Sequence, residues 1–204
     1  MKAKRRISGL RTAVLAAAAL VLAACNPIEN ETGSNSLLTI ETLTALNMEG
    51  QEVNFCQSDV LYTDPQTGAT SIVADIAKVA LSADLLDPDP VLGASQYNDI
   101  ELFKYGVTYR RSDGRNTEGV DVPYAFEEGM SGIIRIGQSA SFSFILVREA
   151  AKQEPPLINL LMPSNRGETL VVTAQIDFYG KDLAGRAVKA TGYIPVTFAD
   201  FANQ

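Results

Sequence analysis

LVVTAQIDF, residues 170–178, places an apolar side chain at every second position. The side chains between them include Thr173, Gln175 and Asp177, which are polar. A period of two residues is typical of a β-strand with one face in a core and the other in solvent. The stretch therefore predicts a half-buried strand, and it indicates a fold in which sheets form the core.

The residues that follow predict a β-hairpin. GKDLAG, residues 180–185, has a glycine at each end, as turns between strands often have. Pro195 cannot donate a hydrogen bond to a neighbouring strand, so the second strand is expected to lie at a sheet edge or to be bulged there. Alternating apolar residues mark this second strand: Val188, Ala190, Ile194, Val196 and Phe198.

Similar patterns upstream predict further strands. The apolar residues Phe103, Tyr105, Val107 and Tyr109 share one face of one of them. Strands are also predicted at residues 132–136 and 142–146. They are expected to pair with each other through a turn at Gly137. The remaining predicted strands cover residues 37–46, 59–63 and 71–86.

Two segments need a choice between structures. Residues 71–86 fit a strand, but their alanines also suit a helix, and we expect a strand because the neighbouring segments are strands. Residues 155–161 open with two prolines, which suit the first turn of a helix. We expect one short helix there, crossing between two sheets.

Seven to eight short strands with turn-rich connections predict an all-β fold, a single antiparallel sandwich over residues 37–204. In outline it resembles immunoglobulin-like and fibronectin-like domains. The tryptophan typical of those domains is absent, because the chain contains none. Separately, VTYRRSDGRNTEGVDVPY, residues 107–124, resembles segments of exported bacterial proteins of uncharacterised activity, and this resemblance implies no catalytic residues.

The N-terminus has the composition of an export signal. Five basic residues within residues 2–11 precede an unbroken apolar run of twelve residues, Ala13–Ala24. Small residues then lead to Cys25, as at a signal-peptide cleavage site. The run is too short to span a bilayer, which takes about 20 residues.

The sequence Leu22-Ala23-Ala24-Cys25 resembles the lipobox of bacterial lipoproteins. The resemblance implies cleavage of residues 1–24 and attachment of a diacylglycerol to the thiol of Cys25. Residues 25–36 then form a lipidated N-terminus and a polar tether. In Gram-negative members an aspartate after the cysteine favours the inner membrane, so Asn26 favours the outer membrane. The alternative is an ordinary secretory signal with an incidental cysteine.

Removal of residues 1–24 changes the charge of the protein. The full chain has a formal net charge of −7, but the mature chain keeps 12 basic residues against 24 acidic ones, a net charge of −12. Such a domain is repelled by nucleic acid, which is excluded as a partner. Lipid on Cys25 would also leave Cys56 without a disulfide partner, and its apolar neighbours predict that it is buried.

The residue inventory argues against most enzyme chemistry. The chain has no histidine, which excludes Ser-His-Asp and Cys-His catalysis. We expect no enzyme activity and no cofactor. Two alternatives use carboxylates: a hydrolase of cell-wall or extracellular polysaccharide, and an adhesion module stabilised by calcium. Their candidate residues are Asp87, Asp89, Asp99, Glu101, Glu127 and Glu128.

One loop is a candidate binding site. Asp113, Arg115 and Asn116 surround an Asp-Gly turn, and binding residues often lie on loops, although the same residues could simply close a hairpin. Four tyrosines, at positions 97, 105, 109 and 124, could line a binding face or pack in the core. The expected function is a non-catalytic envelope lipoprotein that binds the membrane through its lipid and binds an envelope protein or glycan, or supports an envelope assembly.

Overall fold

The structure is a computed structural model that describes residues 33–64, 66–91, 93–165 and 167–201. These residues belong to one compact unit, Gly33–Gln204. Within this described part of the chain, no helix is both long enough and apolar enough to cross a membrane.

The described residues contain eleven β-strands, of which eight have four residues or more and three have two. The sequence predicted seven to eight strands, and the two-residue strands account for the excess. In chain order the strands are β1 (Ser36–Leu46), β2 (Glu52–Val53), β3 (Cys56–Asp59), β4 (Tyr62–Thr63), β5 (Thr70–Ser71), β6 (Asp75–Leu85), β7 (Ile100–Arg110), β8 (Phe126–Ile134), β9 (Gln138–Val147), β10 (Leu170–Asp182) and β11 (Ala187–Ala199).

Two sheets share one hydrophobic core. The first has the strand order β2-β1-β6-β9, and the second has the order β3-β11-β10-β7-β8. Phe144 on β9 meets Phe178 on β10 edge to face, with 5.4 Å between ring centroids. Tyr105 on β7 lies 5.1 Å from Phe144. This arrangement confirms an all-β, sandwich-like fold.

The predicted C-terminal hairpin is confirmed. β10 and β11 pair antiparallel from Leu170 opposite Phe198 to Lys181 opposite Ala187. On its other side, β11 pairs with β3 only from Val196 onward. Pro195 therefore lies just outside that second ladder, where its missing N–H costs no hydrogen bond. The edge prediction therefore holds at Pro195 itself, although β3 makes β11 an internal strand from Val196 onward.

The sandwich is not purely antiparallel. β3 runs parallel to β11, with Cys56 opposite Val196 and Asp59 opposite Ala199. The alternation of side chains that predicted the strands carries no information about strand direction. The prediction of an antiparallel sheet was therefore wrong at this edge.

The predicted pairing of residues 132–136 with residues 142–146 was wrong. β8 pairs with β7, whereas β9 pairs with β6, so the two segments lie in different sheets. The chain crosses between the sheets at Gly137, which has a positive φ of 74° and donates its N–H to the carbonyl of Ala83. A glycine suits this crossing because other residues rarely adopt a positive φ.

The segment at residues 71–86 is a strand, as predicted. β6 buries Ala77, Val79 and Leu81 on one face, and β1 and β9 flank it. On β7, however, Phe103 does not share the buried face of Tyr105. The register with β8 shifts between Leu102 and Lys104, and this irregularity turns Phe103 outward.

Short helices connect β9 to β10 and so cross from one sheet to the other. The predicted helix near residues 155–161 is present as a 3-10 helix, Leu157–Leu161, which buries Leu157 and Leu160. A short α-helix, α1 (Glu149–Lys152), precedes it, and a 3-10 turn, Pro163–Asn165, follows. A further 3-10 turn, Gln96–Asn98, leads into β7.

The described chain enters the sandwich at one end of β7. Ser34 donates a hydrogen bond to Asp182 over 2.6 Å, and Ser36 donates one to the carbonyl of Asn98 over 2.7 Å. Both serines are buried, although the sequence assigned residues 25–36 to the tether. We call this end, where Ile100 pairs with Asp182, the proximal end, and the end where β7 stops at Arg110 the distal end.

Candidate functional site

The residues expected to direct lipid attachment, Leu22, Ala23, Ala24 and Cys25, lie outside the described residues. Their roles stay predictions from the sequence. The other predicted site residues, Asp113, Arg115 and Asn116, belong to a loop at the distal end, residues 111–122, which we call the distal loop.

Two arginines of the distal loop share one carboxylate. Arg111 contacts Asp113 through Nη2–Oδ2 at 2.6 Å and Nε–Oδ1 at 3.1 Å. Arg115 contacts the same Oδ2 through Nε at 3.0 Å and Nη2 at 2.9 Å. The backbone N–H of Arg115 also donates to Oδ1 of Asp113, over 3.1 Å. Asp113 therefore fixes the positions of two guanidinium groups.

The rest of the loop is held by hydrogen bonds from its backbone N–H groups and by one buried side chain. Oδ1 of Asn116 accepts the N–H of Arg111 over 2.7 Å. The carbonyl of Thr117 accepts the N–H of Asp121 over 2.8 Å, and the buried side chain of Val122 fixes the end of the loop to the core. The distal loop therefore has a defined shape while Asp113, Arg115 and Asn116 stay exposed.

Three of the four polar residues that shape this cluster, Asp113, Arg115 and Asn116, were predicted from the sequence. Arg111 was missed, although the signal was present as a second arginine two residues before Asp113. The alternative of a simple hairpin turn also holds in part, because β7 and β8 form an antiparallel pair and the loop lies between them. The connection runs from Arg111 to Ala125, which is far longer than a tight hairpin turn needs.

The loop offers hydrogen-bond donors to a ligand. An arginine guanidinium has five N–H donors in a planar fork that suits carboxylates and other oxygen acceptors. Asp113 uses part of the fork of Arg115, and the remainder faces solvent on a side chain that is 66% exposed. This geometry suits recognition of an oxygen-rich partner, such as a protein carbonyl group or a glycan hydroxyl group.

The cluster should stay intact in mildly acidic solution, because Asp113 should not become protonated there. The Arg111 side chain, followed by the backbone N–H of Arg115, lowers the pKa of Asp113 well below its usual range. A carboxylate with a lowered folded-state pKa stabilises the fold above its unfolded pKa of about 3.9, and loses that effect as the pH falls through the folded value. We therefore expect Asp113 to stay ionised at pH 4.

Carbon-detected NMR of the carboxyl groups checks this expectation. The Asp113 resonance should show no titration between pH 7 and about 4, near the ordinary aspartate pKa. The Asp113→Asn variant identifies the resonance by its loss. A titration of Asp113 at the ordinary value would show that the two arginines do not hold it in solution.

A second polar cluster lies inside the sandwich. Lys152, at the end of α1, has no exposed side-chain surface, and its Nζ lies 2.9 Å from Oδ2 of Asp75, which is 7% exposed. Nζ also donates to the carbonyl of Asp59 over 2.8 Å, and Oγ of Ser58 donates to Oδ2 of Asp75 over 2.6 Å. The ion pair thus joins α1, β6 and β3.

This buried cluster does not form an accessible active site. Burial raises the pKa of the nearby Cys56 thiol, and the charge of Asp75 raises it further, so the thiol stays protonated. A protonated, buried thiol is a poor nucleophile. Burial also raises the pKa of Asp75, against the opposing effect of Lys152. The prediction that Cys56 is buried is confirmed.

The acidic residues of the two alternative functions lie in two regions, and Asp99 and Glu101 are at the proximal start of β7. Asp87 and Asp89 follow β6 at the proximal end, while Glu127 on β8 pairs with Lys104 over 2.9 Å. Glu128 accepts a hydrogen bond from the hydroxyl of Tyr105 over 3.0 Å. Among the residues described, no group of three His, Cys, Asp or Glu side chains is arranged to hold a metal ion.

The four tyrosines do not form one binding face. Tyr105 and Tyr109 are buried in the core, where the Tyr109 hydroxyl donates to the carbonyl of Leu146 over 2.7 Å. Tyr97 and Tyr124 are exposed, but they lie at the proximal and distal ends respectively. The packing alternative is therefore correct for Tyr105 and Tyr109.

The chain matches no protein-family model, and no curated protein was found to match it. Roles for the distal loop and for the buried ion pair therefore follow from their geometry, not from kinship with a protein of known activity.

Proposed function

We propose that this chain is a lipid-anchored envelope protein, whose sandwich is an immunoglobulin-like or fibronectin-like, non-catalytic binding or structural module. The lipobox resemblance at Leu22–Cys25 supports the anchor. In a Gram-negative host, Asn26 favours the outer membrane. The membrane is then a partner through the lipid on Cys25, and an envelope protein or a glycan is the partner of the sandwich.

The observation that carries the binding role is the position of the distal loop. Ser34 and Ser36 fix the incoming chain at the proximal end, whereas the distal loop follows the last residue of β7. Eleven residues of strand at about 3.4 Å per residue separate the two ends by roughly 34 Å. A sandwich held at its proximal end presents the loop far from the point of attachment.

The shape of the loop suits a binding role. Its backbone and its arginine–aspartate contacts are fixed before any partner arrives, which lowers the entropy cost of binding. Arg115 supplies the exposed donor group, and arginine is enriched among the residues that dominate binding energies. Arg115 is therefore the residue whose removal should weaken partner binding most.

A retention experiment with matched variants tests this function. The mature chain is immobilised and exposed to envelope extract from its host, alongside Arg115→Ala and Arg135→Ala, the latter an exposed arginine near the proximal end. We expect wild type and Arg135→Ala to retain a partner that Arg115→Ala loses. Equal retention by all three would contradict a binding role for the loop. Turnover of cell-wall glycan by the wild type would contradict a non-catalytic module.

A further inference from the structure

We infer that an apolar patch at the proximal end of the sandwich contacts the surface of the membrane, on lipid with zwitterionic headgroups. We call Leu86, Val91 and Tyr97 the proximal patch. This inference rests on the proposed lipid anchor and extends it. The lipid holds the protein to the bilayer, and the patch sets how the domain stands on it.

The three side chains of the patch are exposed, and Tyr97 directly precedes Asn98, which lines the same depression as Leu86 and Val91. Val91 is fully exposed at 101%, and Leu86 and Tyr97 are about 60% exposed. Leu86 and Val91 line one depression of about 560 Å³, to which Asn35 and Asn98 also contribute. The N–H of Leu86 donates to the carbonyl of Asn35 over 2.9 Å, which ties the patch to the start of the domain.

The length of the chain before the domain limits the distance to the membrane. Eight residue steps separate Cys25 from Gly33. Whatever their conformation, they span at most about 29 Å, at up to 3.6 Å per residue. The proximal end therefore cannot move far from a lipid attached to Cys25, and an apolar patch at that end has a bilayer within reach.

The composition of the patch fits the region between headgroups and acyl chains. Transfer of leucine and valine side chains out of water is favourable. Tyrosine is enriched at membrane interfaces because its ring is apolar and its hydroxyl is polar. Three exposed carboxylates accompany the patch: Asp87 lines the same depression, and Asp84 and Asp89 lie close to it in the sequence. Anionic headgroups would repel them, so the patch suits zwitterionic lipid.

Contact through the patch would stand the sandwich upright. The distal loop lies at the other end of β7 and would then point away from the bilayer. A domain held by its lipid alone could lie flat and bring the loop near the headgroups. The patch therefore sets whether the distal loop is open to a partner.

A depth measurement on the lipidated mature chain tests this orientation. A fluorescent probe is attached at Ala94→Cys, beside the patch, or at Glu118→Cys in the distal loop, both at exposed positions. The protein is placed in phosphatidylcholine vesicles that carry a nitroxide quencher at the headgroup level. We expect strong quenching at position 94 and little at position 118. Equal quenching at both positions would overturn the inference.

Matched substitutions test the patch itself. Leu86→Ser with Val91→Ser should reduce quenching at position 94, whereas Val120→Ser should not, although Val120 is a 68% exposed valine of the distal loop. Quenching unchanged by the patch substitutions would overturn the inference. The inference would also be overturned if added envelope protein, but not vesicles, protected the probe at position 94 from solvent.

An unlipidated protein separates this inference from the proposed anchor. The mature chain with Cys25→Ser should partition into phosphatidylcholine vesicles, and each apolar side chain removed from the patch should weaken partitioning about tenfold. Adding phosphatidylglycerol should weaken it further. Absence of lipid on the native Cys25 would refute the anchor alone. Absence of vesicle binding by the Cys25→Ser chain would refute the patch alone.

Discussion

Replacement of Lys152 by alanine is expected to lower the free energy of unfolding by about 3–5 kcal/mol. The substitution removes the 2.9 Å contact with Asp75 and leaves a buried carboxylate without its cation. It also removes the hydrogen bond to the carbonyl of Asp59. Because the cluster joins α1, β6 and β3, the loss should loosen the crossover between the two sheets.

An exposed ion pair of the same type provides the control. Lys78 contacts Glu52 over 2.6 Å, but their side chains are 41% and 44% exposed. Exposed pairs of this kind contribute about 0–1 kcal/mol, so Lys78→Ala should have little effect. Urea-induced unfolding measures both variants. If both substitutions lowered the free energy of unfolding by a similar small amount, burial would not make the ion pair of Lys152 more important for stability.

A double substitution separates the cost of a broken pair from the contribution of the pair. Lys152→Met with Asp75→Leu removes both charges and keeps apolar volume at both positions. Replacement of a buried ion pair by apolar residues is often close to neutral. We therefore expect the double variant to be more stable than Lys152→Ala. A double variant that is less stable than Lys152→Ala would contradict this view of the cluster.

Replacement of Cys25 by serine is expected to abolish lipid attachment. The thiol is the atom to which the lipobox resemblance assigns the thioether, and serine offers no sulfur. Firm anchoring takes two or more acyl chains, and the variant would carry none, so any membrane contact that remained would come from the proximal patch. Metabolic labelling with a fatty acid measures lipid attachment, and we expect label on the wild type and none on Cys25→Ser.

Cys56 provides the control for the labelling experiment. It is the second cysteine of the chain, and it is buried in the sandwich with a free thiol. Cys56→Ala should therefore keep the label of the wild type. Label that disappears with Cys56→Ala and persists with Cys25→Ser would show that the lipid is attached elsewhere.

The sequence predicted those parts of the fold that depend on local alternation. The hairpin of β10 and β11 could be predicted because each strand alternates along its whole length and a glycine-bounded turn joins them. Strand partners at longer range could not. β8 and β9 are separated by only three residues, yet they enter different sheets because Gly137 redirects the chain.

The same limit applies to the polar sites. Asp113, Arg115 and Asn116 stood out because an Asp-Gly turn concentrates polar residues, and the structure brings Asp113 and Arg115 into contact. The ion pair of Lys152 and Asp75 had no such signal. Its residues are 77 positions apart in the sequence, and they meet because β6 pairs with β9, which places Asp75 opposite Val147, just before α1.

Mass spectrometry of the mature N-terminal peptide is a direct test of the lipid anchor. We expect this peptide to begin at Cys25 and to carry a diacylglycerol on its sulfur. An N-terminal peptide that starts at another residue, or that starts at an unmodified Cys25, would contradict this expectation.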